Sequence, residues 1–287
     1  MQTGAISARS AVRKAAQRFA EAGVPEPGPS AEILLSELLD VRRGDLAFSD
    51  EPLTGEQVKL YESWIKRRIH REPVQRILGY AYFRNLKLEL NDHTLIPRPD
   101  TESVVDAALE LIDARPEPPV VLDIGTGSGA IAIAVAQERP DCEVHATDVS
   151  GEALEAARCN ARKNNTKVEF HLADVVAGLH GLQGKVGVLV SNPPYVGIDE
   201  KERLAPEVQV WDPHAALFSE GDALLFFRRI FAETPPLLAR GADVVLEVGD
   251  EQAEAVLKLG RENGFAPLGI RTDLAGSPRA ALLRWQP

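Results

Sequence analysis

Residues 120–137 read as a short buried strand, a turn with three glycines and a helix: Val120-Val121-Leu122-Asp123-Ile124, then Gly125-Thr126-Gly127-Ser128-Gly129, then an apolar run opening at Ala130. Glycine lets the backbone turn tightly and leaves room for a ligand where a Cβ would otherwise stand. The rhythm repeats downstream. Strands are expected over 143–147, 168–172, 186–190 and 244–248, helices over 151–164 and 223–232, and an edge strand over 280–285. Strands alternating with helices predict an α/β fold with a parallel sheet covered on both faces. Ligands in such sheets bind beyond the carboxyl ends of the strands, where the glycine turn falls.

What the turn lacks narrows the ligand. Gly125, Gly127 and Gly129 are spaced by two, unlike the dinucleotide pattern G-x-G-x-x-G, and no Lys-Ser/Thr follows to cradle a phosphate. Asp148 ends the second strand, where a carboxylate accepts hydrogen bonds from ribose hydroxyls, with Val149 next to it. A nucleoside-bearing ligand without phosphates suits this unit, and S-adenosylmethionine is one. A generic nucleotide or a plain tight turn stays open on the glycines alone. Asp174, after the third strand, is placed to meet an adenine amine; a solvated loop aspartate is the equal alternative.

At the carboxyl end of strand 186–190 stands Ser191-Asn192-Pro193-Pro194-Tyr195. A planar nitrogen is a poor nucleophile, because its lone pair is delocalised. To attack a sulfonium methyl it must be held in line with its lone pair turned toward carbon. Acceptors on its two N–H bonds do this and accommodate the developing positive charge. Asn192 offers a side-chain carbonyl, Pro193 a backbone carbonyl on a stiff chain, and Tyr195 a ring face for a flat group. No catalytic base is needed, since the product sheds its proton readily. On this chemistry a glutamine amide and the exocyclic amine of adenine fit equally well; a plain rigid turn is the bland reading.

Before residue 80 the pattern is helical. Val12, Ala15, Ala16 and Phe19 recur at helical spacing, Ser30 is expected to cap a second helix carrying Leu34, Leu35, Leu38 and Leu39, and Thr54 with Gln57 forms a capping box for a third. Leu86, Leu88 and Leu90 alternate with Lys87 and Glu89, which predicts a strand that ends at the Asn91-Asp92 turn. The net charge of -11 argues against a protein that grips long nucleic acid through its phosphates. One basic cluster, Lys66, Arg67, Arg68, Arg71 and Arg76, is either a solvated face or a partner surface. No apolar run is long enough to span a bilayer, no secretory signal is evident, and Cys142 and Cys159 lack metal-ligand spacing; a cytoplasmic protein with reduced thiols is expected.

Nearly the whole chain resembles the HemK/PrmC family of protein-glutamine methyltransferases. The strings that carry the resemblance are Glu72-Pro73-Val74-Gln75, Ile77-Leu78-Gly79, Leu95-Ile96-Pro97-Arg98-Pro99-Asp100-Thr101-Glu102, Asn192-Pro193-Pro194-Tyr195, Leu246-Glu247-Val248-Gly249 with Gln252, and Asp273-Leu274-Ala275-Gly276 with Arg279. The resemblance implies a class I S-adenosylmethionine-dependent methyltransferase domain with a Rossmann-like, seven-stranded sheet over 98–287. It also implies a small helical substrate-docking domain over 1–80 and a β-hairpin connector over 81–97. The reaction it implies is methylation of the glutamine of the GGQ motif in class I peptide-chain release factors, with no membrane and no stable nucleic-acid partner. Cofactor contacts are implied for Gly125, Thr126, Gly127, Ser128, Gly129, Asp148, Val149, Asp174, Val175 and Asn192. Substrate glutamine contacts are implied for Asn192, Pro193, Pro194 and Tyr195. The chain departs from the family pattern at Asn85, where a glycine is usual, at Trp211-Asp212-Pro213, and in the glycine-poor run 218–223.

Overall fold

Helix-forming patterns, caps and a change to period-two alternation divide the chain, and a computed structural model describes residues 6–48, 52–219, 221–273 and 276–286. Glu220, Leu274 and Ala275, which belong to strings quoted above, lie outside the described residues. The chain forms two units, 1–79 with Ala205–Trp211, and 80–204 with 212–287.

The first unit holds α1 (Ala8–Glu21), α2 (Pro27–Leu39), α3 (Gly55–Ile69) and α4 (Val74–Leu78). Thr54 and Gln57 form the expected capping box on α3. The second helix starts earlier than its pattern suggested, because a proline in the first turn has its φ preset and gives up only an N–H that has no partner there. Ser30 is therefore inside α2 and buried rather than at its cap. Phe19, Leu34, Leu35, Ile65 and Ile77 close a core of their own, and the buried Tyr61 hydroxyl donates to the Ala31 carbonyl at 2.9 Å.

The basic cluster is largely spoken for within this unit. Arg67 pairs with Glu72 (Nε to Oε2, 2.7 Å), and Arg68 and Arg71 both reach Glu207 at 3.1 and 2.7 Å. Arg68 is 5% exposed, so its charge has no water to turn to and needs Glu207. At least three of the five cations are thus paired within this unit, although Arg67 keeps 43% of its side chain exposed.

In the second unit, β1 (Tyr80–Phe83) and β2 (Leu86–Glu89) make an antiparallel hairpin. Its turn puts the left-handed residue at Arg84 (φ 51°), and not at Asn85. The Arg84 guanidinium is held by Asp106 and Glu138, which offsets the cost of that conformation. Then follow α5 (Glu102–Asp113), β3 (Val120–Ile124), α6 (Ala130–Glu138), β4 (Glu143–Asp148), α7 (Gly151–Lys163), β5 (Glu169–Leu172), β6 (Val186–Ser191) and the two-residue β7 (Val196–Gly197). The remaining elements are α8 (Pro206–Trp211, within the first unit), α9 (His214–Leu217), β8 (Phe218–Ser219), α10 (Leu225–Glu233), β9 (Leu238–Glu247), α11 (Ala253–Glu262), β10 (Phe265–Thr272) and β11 (Pro278–Trp285).

The seven-stranded sheet runs β10-β11-β9-β6-β3-β4-β5. Five neighbouring strands are parallel, and β11 runs antiparallel between β9 and β10, so the sheet is mixed rather than purely parallel. The strand expected over 280–285 is internal, and the edge belongs to β10, whose weak apolar alternation around Pro267 and Gly269 gave no strand signal. The apolar faces of β3, β6 and β9 bury two clusters, one under α5 and α6 and one under α10 and α11. This brings the carboxyl ends of β3, β4, β5, β6 and β9 to one rim of the sheet.

Candidate functional site

The glycine turn leaves β3 with Gly125, Gly127 and Gly129 at φ 73°, 56° and 87°. A side chain in that region is strained, which is why glycine stands at each. The Gly125 and Thr126 N–H groups both donate to the Thr147 carbonyl of β4 at 2.9 Å. At Gly129 a Cβ would come within 2.7 Å of Ile133 Cδ1, so this glycine serves close packing. At Gly125 and Gly127 a Cβ would meet no protein atom within 4 Å, and both residues line a pocket. Asn160, fully buried on α7, ties the turn to the hairpin: its Nδ2 donates to the Ser128 and Glu89 carbonyls, and its Oδ1 accepts from Glu89 N–H.

Two carboxylates brace the turn. Asp123, 1% exposed, accepts from the Thr126 hydroxyl at 2.6 Å and Ala132 N–H at 3.3 Å, while its Oδ1 has no partner. Burial pushes its pKa up to about 7. Asp148, at the end of β4, accepts from Gly127 N–H at 2.8 Å and Ser150 N–H at 2.9 Å. Burial raises its pKa also, against those backbone bonds. Each Asp148 oxygen retains a second lone pair for a ligand hydroxyl.

Beyond β5, Val175 adopts φ 54°, a rare value for a β-branched residue, and its carbonyl accepts from the buried Thr147 hydroxyl at 2.9 Å. That bond holds the turn in which Asp174 sits. Asp174 also pairs with Arg229 at 2.8 Å, so its carboxylate is shared between the rim and α10.

At the end of β6, the Ser191 hydroxyl donates to the Ile124 carbonyl at 2.7 Å, locking the start of the 191–195 string to the end of β3. Asn192 donates its Nδ2 to Thr101 Oγ1 at 3.3 Å, which leaves its Oδ1 as an acceptor. Tyr195 is anchored: its hydroxyl donates to Glu247 Oε1 at 3.2 Å, and its carbonyl accepts from Gln252 Nε2 at 2.8 Å. Gln252 Oε1 in turn accepts from Gly249 N–H. Glu247 is 2% exposed, and burial lifts it to about 7 despite the Thr101 and Tyr195 hydroxyls beside it.

A pocket of about 180 Å³ joins these parts. Gly125, Gly127, Asp148, Val149, Asp174, Val175, Asn192, Pro193 and Pro194 line it. Thr126 and Ser128 are buried beneath the turn, Gly129 packs against α6 and α7, and Tyr195 faces Glu247; these four are not among the lining residues. Sequence reasoning did not single out His93, Ala216 and Phe226, which complete the wall from outside the strand-end motifs. No local pattern could have found them. The roles of Thr101, Glu247 and Gln252 were equally silent, although all three stand in the quoted strings. Arg98 and the buried Asp212 form an ion pair, so the acid of Trp211-Asp212-Pro213 has a structural partner in the string 95–102.

A family model described as PrmC N-terminal domain matches residues 10–79, and one described as Methyltransferase small domain matches 104–256. The Release factor glutamine methyltransferase of Streptomyces coelicolor is 40% identical over 275 residues, 95% of this chain and 96% of that protein. The chain belongs to the release factor glutamine methyltransferase family. The protein of the same name from Mycolicibacterium smegmatis is 39% identical, over 94% of this chain and 95% of its own length. A solved methyltransferase from Pyrococcus furiosus superposes with a TM-score of 0.52 at 19% identity, covering 77% of this chain and 98% of that one, a likeness of fold alone. Among the described residues no helix is long and apolar enough to cross a membrane.

Proposed function

We propose that the chain transfers a methyl group from S-adenosylmethionine to the side-chain amide nitrogen of the glutamine in the GGQ motif of a class I peptide-chain release factor. The observation that supports this most is that Asn192, Pro193 and Pro194 share one pocket with Gly127 and Asp148, in a chain 40% identical to a protein named for that reaction. The pocket residues suit the cofactor. The space a Cβ would take at Gly125 and Gly127 is clear of protein, and Asp148 has lone pairs to spare for ribose hydroxyls. Asp174 and the Val175 turn flank the adenine position.

Bound there, S-adenosylmethionine supplies an electrophilic methyl on a sulfonium. The chain's own residues then do the positioning. Asn192 Oδ1, free because Nδ2 is held by Thr101, accepts one N–H of the substrate amide, and the Pro193 carbonyl accepts the other. With both N–H bonds directed, the nitrogen lone pair points at the methyl carbon. The same acceptors stabilise charge as the nitrogen becomes cationic. Pro194 and Phe226 give apolar walls that keep water from the reacting atoms. In this reading residues 1–80 dock the release factor, 81–97 connect, and 98–287 carry the chemistry.

The test is transfer of labelled methyl from the cofactor to purified release factor. Label is expected on the wild-type factor and absent when the GGQ glutamine is changed to alanine. Label on RNA or DNA, and none on the factor, would overturn the assignment in favour of an adenine amine.

A further inference from the structure

Away from the methyl-transfer pocket, adjacent strands of the sheet bring two histidines together. His145 on β4 is the register partner of Glu169 on β5, and Thr147 that of His171, so Glu143, His145, Glu169 and His171 project from one face of neighbouring strands. The two imidazoles stack, with centroids 5.3 Å apart and planes 24° apart. His145 Nδ1 stands 3.0 Å from His171 Nε2 and 3.4 Å from Glu169 Oε2. Its other nitrogen, Nε2, lies 2.8 Å from Glu143 Oε1. The His145 side chain is only 4% exposed.

The donor set is what a metal ion takes: two imidazole nitrogens and a carboxylate. In the neutral imidazole, a His145 that donates Nε2–H to Glu143 presents Nδ1 as an acceptor toward His171 Nε2 and Glu169 Oε2. The Glu169 carboxylate also only accepts. One ligand atom from each of His145, Glu169 and His171 lies within 4.8 Å of the others. A cation satisfies all three acceptors together, and a histidine ligand whose far nitrogen donates to a carboxylate is the usual arrangement around a bound metal. Among the described residues no other histidine, cysteine and carboxylate group converges this way.

We propose that His145 Nδ1, His171 Nε2 and a Glu169 oxygen bind one divalent transition ion of the Zn²⁺ type, with Glu143 orienting His145. Two imidazoles and one carboxylate suit such an ion, whereas Ca²⁺ and Mg²⁺ take oxygen ligands. With bonds of about 2.0–2.1 Å and tetrahedral angles, the two nitrogens need to part by only about 0.3 Å. Water takes the fourth position. Each histidine lies three residues before an acidic residue of the pocket, His145 before Asp148 and His171 before Asp174. The ion therefore staples the edge strand β5 to β4 just upstream of the cofactor rim, and its role is structural.

Calorimetric titration of Zn²⁺ into the chelator-treated full chain tests this, together with the visible spectrum of the Co²⁺-substituted protein. One ion per chain, the intense bands of tetrahedral Co²⁺ and a higher Tm with Zn²⁺ are expected. His171→Gln, at a half-buried position, and Glu169→Gln, at an exposed one, should each weaken Zn²⁺ at least tenfold and remove the Tm increase, with circular dichroism unchanged. His145→Ala should abolish binding; if it fails to fold, the other two variants still decide. No stoichiometric binding by the wild type, or unchanged affinity in His171→Gln and Glu169→Gln, would overturn the site. Unchanged affinity would place the ion elsewhere on the chain.

Discussion

The Tyr195 hydroxyl donates to Glu247 Oε1 at 3.2 Å, so the last residue of the Asn192–Tyr195 string is fastened to the end of β9. Burial, then the neighbouring Glu247 charge, holds the phenol proton more tightly than usual, and Tyr195 stays a donor throughout the working pH range. Tyr195→Phe leaves a buried Glu247 oxygen without its partner, at a cost of about 1–3 kcal/mol. A lower urea midpoint with cofactor affinity unchanged by calorimetry is the expected pair of results. A loss of cofactor affinity as large as the loss of stability would place Tyr195 at the cofactor instead.

Asn192→Ala should abolish methyl transfer while leaving cofactor binding near normal. Thr101→Val is the subtler test, because it keeps Asn192 and removes the hydroxyl that orients its amide, together with that hydroxyl's bond to buried Glu247. A misplaced acceptor lowers kcat by roughly 10–100-fold with little change in cofactor Kd. Full activity in either variant contradicts the acceptor role of Asn192.

Asp148→Ala is expected to lose cofactor binding in calorimetry, for two reasons that a second variant separates. The carboxylate both faces the pocket and holds the Gly127 and Ser150 N–H groups. Asp148→Asn retains one oxygen for the backbone and loses the doubly accepting geometry. Binding intermediate between wild type and Asp148→Ala is the predicted outcome.

Asp123 and Glu247 both have folded pKa values raised to about 7 by burial. The unfolded chain releases these protons near pH 4, at about 3.9 and 4.3. Between those values and about 7 the folded state holds more protons, so their stabilising contribution is full below about pH 4 and is lost as pH rises through about 7. Each group contributes a slope of up to about 1.4 kcal/mol per pH unit. Urea midpoints should fall from about pH 5 to about pH 8, and Asp123→Asn should flatten that slope. An Asp123→Asn slope equal to wild type would show that Asp123 titrates normally.

Glu207 behaves in the opposite sense. Burial raises its carboxyl, but the bonds from Arg71 and Arg68 outweigh that and hold it below its ordinary value. Its stabilising contribution is present above the unfolded pKa, about 4.3, and is lost as pH falls through the lower folded value. Glu207→Ala strands the buried Arg68 and should cost about 3 kcal/mol, with faster proteolysis of the helix Pro206–Trp211. Arg71→Glu should also destabilise that segment, so weakened docking of a partner in that variant is not by itself proof of a charged docking face.

Much of this was legible in the sequence where local chemistry decides structure. The glycine turn, the Thr54–Gln57 box and the β3, β4 and β6 strands are each set by residues adjacent in the chain. Most of the failures are non-local. β10 was missed because Pro267 and Gly269 dilute its pattern, and β11 is internal because an antiparallel return pairs it on both sides, which its apolar alternation cannot reveal. The basic cluster was ambiguous because its acid, Glu207, lies 136 residues after Arg71 in the chain. In the site, Asn192 was visible by its motif. Its support from Thr101 and the buried Glu247 was not, since those residues converge only when β6, β9 and the N-terminus of α5 meet at one rim.

The central claim is tested most directly by mapping the methyl group on the product. Release factor incubated with the chain and S-adenosylmethionine, then digested and sequenced by tandem mass spectrometry, should carry one methyl on the side-chain amide of the GGQ glutamine, and none when Asn192→Ala replaces the wild type. A methyl group on another residue of the factor, or the same glutamine methylated equally by Asn192→Ala, would contradict the account.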